Sequence, residues 1–121
     1  MRLFFTLGAV FAGLAVLFGA FGAHALRQSL SPADLATFET GVRYQMYHAF
    51  GLVVVAWALT QWETTAVAAS GWFFVAGIVL FSGSLYVLVL SGARWLGAVT
   101  PLGGVAFLIG WTLLAWSALR G

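Results

Sequence analysis

The sequence predicts an all-α, polytopic membrane protein: one domain over residues 1–121, built as an antiparallel four-transmembrane-helix bundle with a short interfacial helix between helices one and two. Three observations carry this. The chain of 121 residues is 63% hydrophobic and 7% charged, against about 45–50% and about 25% in an ordinary soluble domain. Four long runs contain no Asp, Glu, Lys or Arg, and each approaches or exceeds the roughly 20 residues needed to cross a hydrocarbon core. Two of the three connections are short enough to make consecutive helices antiparallel neighbours.

The predicted spans are about 3–26, 44–62, 66–91 and 95–119. The first begins after Arg2 and contains Ala23-His24-Ala25, a small-x-small pattern like a signal-peptide cleavage site. A signal h-region is only about 7–15 residues long, so the segment is read as a retained helix. Barrel strands, which alternate polar and apolar over about ten residues, do not fit these unbroken runs.

Between the first two spans lies the one substantial extramembrane piece, Arg27 to Arg43. Ser31, Pro32 and Asp34 have the character of an N-cap, a first-turn proline and an acid at the positive dipole end. Leu35, Phe38 and Val42 follow at helical spacing, which predicts an interfacial amphipathic helix over about 32–41. Glu39 and Arg43 are four apart and can pair on it. The other connections are Glu63 to Thr65 and Gly92 to Arg94. Thr100-Pro101 can either start helix four late or kink it.

This topology puts both termini on one membrane side, A, with Glu63. Side B carries the interfacial helix and Arg94. Three arginines on side B (Arg27, Arg43, Arg94) against two on side A (Arg2, Arg120) tip the positive-inside count toward a cytoplasmic side B. Trp57, Trp62, Trp72, Trp111 and Trp116 lie toward side A and Trp95 toward side B, as an aromatic belt would. Glycine reaches 15 of 121 residues. Ala15, Gly19 and Ala23, then Gly103, Ala106 and Gly110, form small-residue faces for close packing, with homo-oligomerisation as a further expectation.

Depth along the helices, at about 1.5 Å per residue, gathers the scarce polar groups toward side B. His24 falls about 4–5 Å in from Arg27, and His48 about 7–8 Å from Arg43. Tyr86 falls about 9 Å from Gly92, and Thr100 about 9 Å from Arg94, with Ser82 and Ser84 deeper. Tyr44, Gln45 and His48 share a helix face. Ionisable groups inside a span raise a functional hypothesis. His24 and His48 could ligate a b-type haem, with Arg27 and Arg43 near propionates or headgroups. The same polar set could line a quinone or lipid pocket, or the histidines could pass a proton. Against these stands a structural reading, hydrogen-bonded interfacial histidines.

Several chemistries are excluded. There is no cysteine and no lysine, and Asp34 is the one aspartate. Thiol catalysis, a lysine-bearing phosphate loop and a paired-aspartate intramembrane protease all lack their residues. No metal site is expected, because two histidines lack a third ligand in the span. Scattered arginines make no nucleic-acid patch. The expectation is a non-enzymatic binding or accessory component of the membrane. A haem- or quinone-binding redox accessory is the alternative, and a small oligomeric transporter or channel subunit a weaker one.

Four motifs carry a resemblance: GAFGAHAL at 19–26, FETGVRYQMYH at 38–48, FSGSLY at 81–86 and TPLGG at 100–104. Together they resemble the bacterial YgdD-like family of small membrane proteins, along essentially the whole chain. The resemblance implies a four-helix protein of the bacterial inner membrane. That family is a domain of unknown function, so it carries over no catalytic residue, and it leaves open a membrane-complex partner.

Overall fold

The computed structural model describes residues 2–62 and 64–120. Glu63, expected in the second connection, and the two terminal residues lie outside the described residues. Among the described residues the chain forms four helical rods and no strand. The rods are α1 (Arg2–His24), α2 (Pro32–Trp62), a composite of α3 (Thr65–Gly77), a π-helical segment (Ile78–Gly83) and α4 (Ser84–Ser91), and finally a 3₁₀ turn (Arg94–Ala98) leading into α5 (Thr100–Arg120). Three of them, Arg2–His24, Thr65–Ser91 and Arg94–Arg120, are long and apolar enough to cross a membrane.

The expected interfacial helix is not a separate element. Ser31 caps it as expected, its Oγ accepting from the Asp34 N–H at 3.1 Å, but the helix then runs unbroken to Trp62. Nothing between Thr40 and Gln45 breaks it: no proline occurs there, and the lone Gly41 is covered by the Tyr86 ring. Arg43 therefore does not mark the edge of a span. The first helix also ends two residues early, at His24, where Ala25 and Leu26 both turn back onto the Phe21 carbonyl.

Pro101 is settled by α5 beginning at Thr100. Proline in the first turn lacks an N–H that would have had no partner there. At the preceding turn, Gly92 adopts φ 75° and closes α4 with its N–H on the Leu88 carbonyl at 2.8 Å, the left-handed cap that glycine adopts without strain.

Registers follow from glycines set against neighbouring side chains. Gly8 of α1 lies against Ala49 and Leu52 of α2, and Gly22 against Phe38, so α1 and α2 run antiparallel. Gly41 meets Tyr86 and Gly51 meets Phe74, which makes α2 antiparallel to the α3–α4 rod. Gly77 against Phe107 and Gly110 against Phe74 do the same for α5. The buried stripe on α1 is Phe4, Gly8, Ala15 and Gly22. It includes Ala15 but not the expected Ala23, which is exposed. On α5 Gly103, Ala106 and Gly110 are all buried.

A recurring device is an aromatic ring seated on a glycine of the next rod: Phe4 on Gly71, Phe38 on Gly22, Phe74 on both Gly51 and Gly110, Phe107 on Gly77. In lipid, where apolar surface gains little by leaving the solvent, such close contact supplies the cohesion. The main core joins Phe4, Leu52, Val55, Phe74, Ile78 and Phe107. A smaller one joins Leu26, Phe38 and Val89 near side B.

The closest approach to a neighbouring backbone is at Gly103, where an added Cβ would run into Phe81. Gly103→Ala should therefore destabilise the fold by about 1–3 kcal/mol, the usual cost of overpacking. Gly13→Ala, where nothing lies within 4 Å, should leave stability unchanged or slightly raised. Thermal unfolding of the two variants in one detergent gives the comparison, and equal melting temperatures would contradict the packing.

Candidate functional site

Gln45 lies on the buried face of α2 and joins three rods. Its Nε2 donates to the Phe11 carbonyl of α1 at 2.8 Å, and its Oε1 accepts from the Tyr86 hydroxyl of α4 at 2.7 Å. One turn earlier on α2, the Gly41 carbonyl accepts from Ser82 Oγ at 2.6 Å. Ser82 belongs to the π-helical segment. A helical carbonyl already bonded within its helix has a second lone pair, so Phe11 and Gly41 accept these bonds without losing their own.

A second contact ties α4 to α5. The Ser84 and Thr100 hydroxyls share a hydrogen bond at 2.6 Å, and whichever of them accepts it can donate to a carbonyl of its own rod, Ser84 to Phe81 at 2.9 Å or Thr100 to Leu96 at 3.3 Å. Near the other end, Trp62 Nε1 donates to Ser117 Oγ at 3.1 Å.

His48 forms the third cluster. Its Nδ1 is 2.7 Å from the Tyr44 carbonyl, which can only accept, so Nδ1 carries the proton. Its Nε2 is 3.0 Å from Trp111 Nε1, which can only donate, so Nε2 presents a lone pair. These two partners specify a neutral imidazole with the proton on Nδ1. The ring stacks on Phe107 at 3.5 Å between centroids, 9° from parallel. Tyr44 joins through its ring, 4.6 Å from Phe81.

The two histidines do not meet. His24 is exposed in the last turn of α1, whereas His48 packs beside Ala49 at the level of Gly8 to Ala12. The α1–α2 register puts them roughly 18 Å apart along the helix axes. Measured along the axes from the end of α1, His48 is also roughly 18 Å in, far from the rim. The shallow depth expected from Arg43 was too small because Arg43 itself lies inside the rod. A haem held by both histidines does not fit: one is at the rim, and the other has both ring nitrogens engaged.

The expected polar set thus divides. Gln45, Tyr86 and Ser82 belong to one network, Ser84 and Thr100 to a second, and Tyr44 and His48 to a third. His24 and Arg27 join none of them. Among the described residues, no buried side-chain nitrogen or oxygen lacks a partner. Trp111 and Phe107 were missed as site residues, Trp111 being counted with the aromatic belt. The signal was available: Trp111 follows Phe107 by four and Gly110 by one, beside the small-residue face that must point inward.

Two hollows open sideways between α1 and the α3–α4 rod. One, about 230 Å³, is lined by Phe11, Leu14, Phe18, Ile78, Val79, Gly83 and Tyr86, with Gln45 among its walls. The other, about 140 Å³, shares Phe18 and Tyr86 and continues past Phe21, Phe38 and Leu90. They lie end to end as an apolar furrow with a waist, parted where the Phe18 and Tyr86 rings meet edge-on at 5.1 Å between centroids.

Long apolar rods around a fully satisfied polar interior define an integral membrane protein. The family described as "Protein of unknown function (DUF423)" matches residues 18–104, and the chain belongs to it. A relative called "UPF0382 membrane protein YwdK" from Bacillus subtilis is 49% identical over 99% of this chain and 98% of its own. A UPF0382 membrane protein of Staphylococcus epidermidis is 46% identical over 99% and 98%. One from Staphylococcus aureus strain RF122 is 46% identical over 94% and 93%. No solved structure matches the chain.

Two outcomes follow from these contacts. In ¹⁵N NMR of labelled protein, His48 should show the neutral Nδ1–H pattern, and Trp111→Phe should shift its Nε2 resonance alone. An Nε2–H pattern would contradict the assignment. Tyr86→Phe leaves Gln45 Oε1 without its donor and should cost about 0.6–1.7 kcal/mol, the range for hydrogen bonds between membrane helices. A double-mutant cycle with Gln45→Leu measures that coupling.

Proposed function

We propose that this protein is a non-enzymatic binding component of the bacterial cytoplasmic membrane, holding the aliphatic or isoprenoid chain of a lipid or quinone in the furrow between α1 and the α3–α4 rod. The furrow is the observation that carries the reading. It opens to the bilayer, its walls are almost wholly apolar, and the two polar groups it exposes, Gln45 and Tyr86, are already bonded to each other. Such a surface suits a chain that needs no polar partner of its own. It offers no nucleophile and no acid, which suits binding better than catalysis.

The proposal includes four membrane crossings, with α2 as the fourth. Its polarity, which keeps it from reading as a span by composition, is taken up inside the protein by Gln45 and His48. The antiparallel registers support both chain ends on one face. The arginine count then favours the opposite face, with Arg27 and Arg94, as cytoplasmic. We read the YgdD-like resemblance as this same grouping.

The test is native mass spectrometry of detergent-extracted protein, followed by organic extraction. One chain-bearing species should survive delipidating washes at fixed stoichiometry, and its identification distinguishes phospholipid from quinone. Gly83→Leu, which projects into the furrow at a site with no atom closer than 4.0 Å, and Val79→Trp should each abolish it without lowering thermal stability. Retention of the same species in both variants would refute the reading.

A further inference from the structure

The outer face of α2 bears an ion pair where its neighbours are bare hydrocarbon. Glu39 and Arg43 are four residues apart with Oε2 and Nη2 3.9 Å from each other, and their side chains are 48% and 62% exposed. By the registers above, Glu39 stands level with Phe21 of α1 and Val87 of α4, and Arg43 with Leu17 of α1. Phe21, Val87 and Leu17 are all exposed, so this level belongs to the lipid zone. The end of α1 is about 5 Å beyond Glu39 and about 10 Å beyond Arg43. Helical side chains lean toward the N-terminus, so the Arg43 guanidinium rises to the level of Glu39. A lone arginine there could snorkel to the headgroups. The glutamate beside it is unexplained by snorkelling and disfavours an anionic lipid phosphate.

The ion pair begins a continuous exposed stripe: Glu39, Arg43, Tyr47, Phe50, Val54 and Trp57, at spacings of three and four on one face. Gln45 points to the opposite side of α2, so this face is distinct from the furrow and independent of what the furrow holds.

We infer that this α2 face is the interface with a second copy of the chain, joined by reciprocal Glu39–Arg43 pairs across a two-fold axis along the membrane normal. Copies inserted in the same orientation bring their α2 helices together in parallel. Each Arg43 then reaches the partner's Glu39 at the height where it already meets its own. The charges are self-complementary, as an isologous interface requires, and pairing withdraws four lipid-exposed charges that are costly in that setting. Tyr47, Phe50 and Val54 continue the contact through the middle of the membrane and past it.

The chain has no cysteine, so single-cysteine variants report directly. In native membranes oxidised with copper phenanthroline, Tyr47→Cys and Phe50→Cys should give a crosslinked dimer. Val10→Cys on α1 and Leu108→Cys on α5, both lipid-exposed, should not. In the Phe50→Cys background, Glu39→Arg or Arg43→Glu should abolish the dimer band, and the double reversal should restore it. Should the single reversals fail to insert, the cysteine variants with intact charges decide the matter. Monomers at Tyr47→Cys and Phe50→Cys, or equal crosslinking at Val10→Cys and Leu108→Cys, would overturn the inference. So would a monomer in native mass spectrometry carrying an anionic phospholipid that Arg43→Gln loses.

Discussion

The structure depends on a constraint that acts wherever the surroundings are hydrocarbon: a polar group with no partner in the protein has no water to turn to. Gln45 shows how far that reaches. An amide has two donors and an acceptor, and in the interior of α2 these must be met by neighbouring rods. One amide N–H goes to the Phe11 carbonyl and the amide oxygen accepts from the Tyr86 hydroxyl, and in doing so these partners set the rotation and height of α1 and α4 against α2. A slip of α1 by one residue would leave the amide facing a side chain in place of a carbonyl. The register is therefore specified by polarity, in a setting where apolar matching is degenerate. α2 is the least apolar of the long rods, and its buried polar side chains, Gln45 and His48, are met by the rods around it.

Polarity sets register, and glycine sets distance. The aromatic-on-glycine seats place a ring where a methyl group would otherwise stand, and at Gly103 the backbone of the neighbouring rod itself comes into contact at Phe81. The π-helical segment reconciles the two demands. Ser70, Phe74, Ile78 and Ser82 are all buried at strict intervals of four. In a regular α-helix, each such step drifts about 40° around the axis. A wider turn at Ile78–Gly83 takes back part of that drift, so Ser82 still faces Gly41 although Ser70 and Phe74 face α5 and α2 further down. π-turns are frequent at functional positions. Here the turn keeps one face of a long rod in contact with two partners.

Much of this was legible beforehand, and the gaps have physical causes. Apolar runs locate helices because charges are excluded from them, and the side chains singled out by their polarity do carry most of the bonds between rods. Their partners were not legible. Two of the acceptors between rods are backbone carbonyls, Phe11 and Gly41, which no residue type announces. Arg43 misled because an arginine inside a rod can reach outward, so its position in sequence overstates its closeness to water. That error placed His48 too near the level where α1 ends and made a meeting with His24 look feasible. Trp111 was hidden by the frequency with which tryptophan serves as a belt residue. Only its place beside the Gly103–Gly110 face set it apart.

A closed polar interior also determines where activity can reside. Both nitrogens of His48, the amide of Gln45 and the hydroxyls of Ser82, Ser84 and Tyr86 already serve the fold, so a ligand drawn to any of them must first break a bond between rods. Under such conditions an interior site would cost stability for each contact it made, since a buried group stripped of its partner bears the full desolvation penalty. The outer surfaces carry no such conflict. The furrow beside α1 has walls that need nothing from a ligand but contact, and Glu39–Arg43 is the one side-chain ion pair on the outer surface among the described residues. In a chain with so few charges, their placement on an open face of the most polar helix separates two roles: the inner face of α2 holds the rods together, and its outer face takes no part in that.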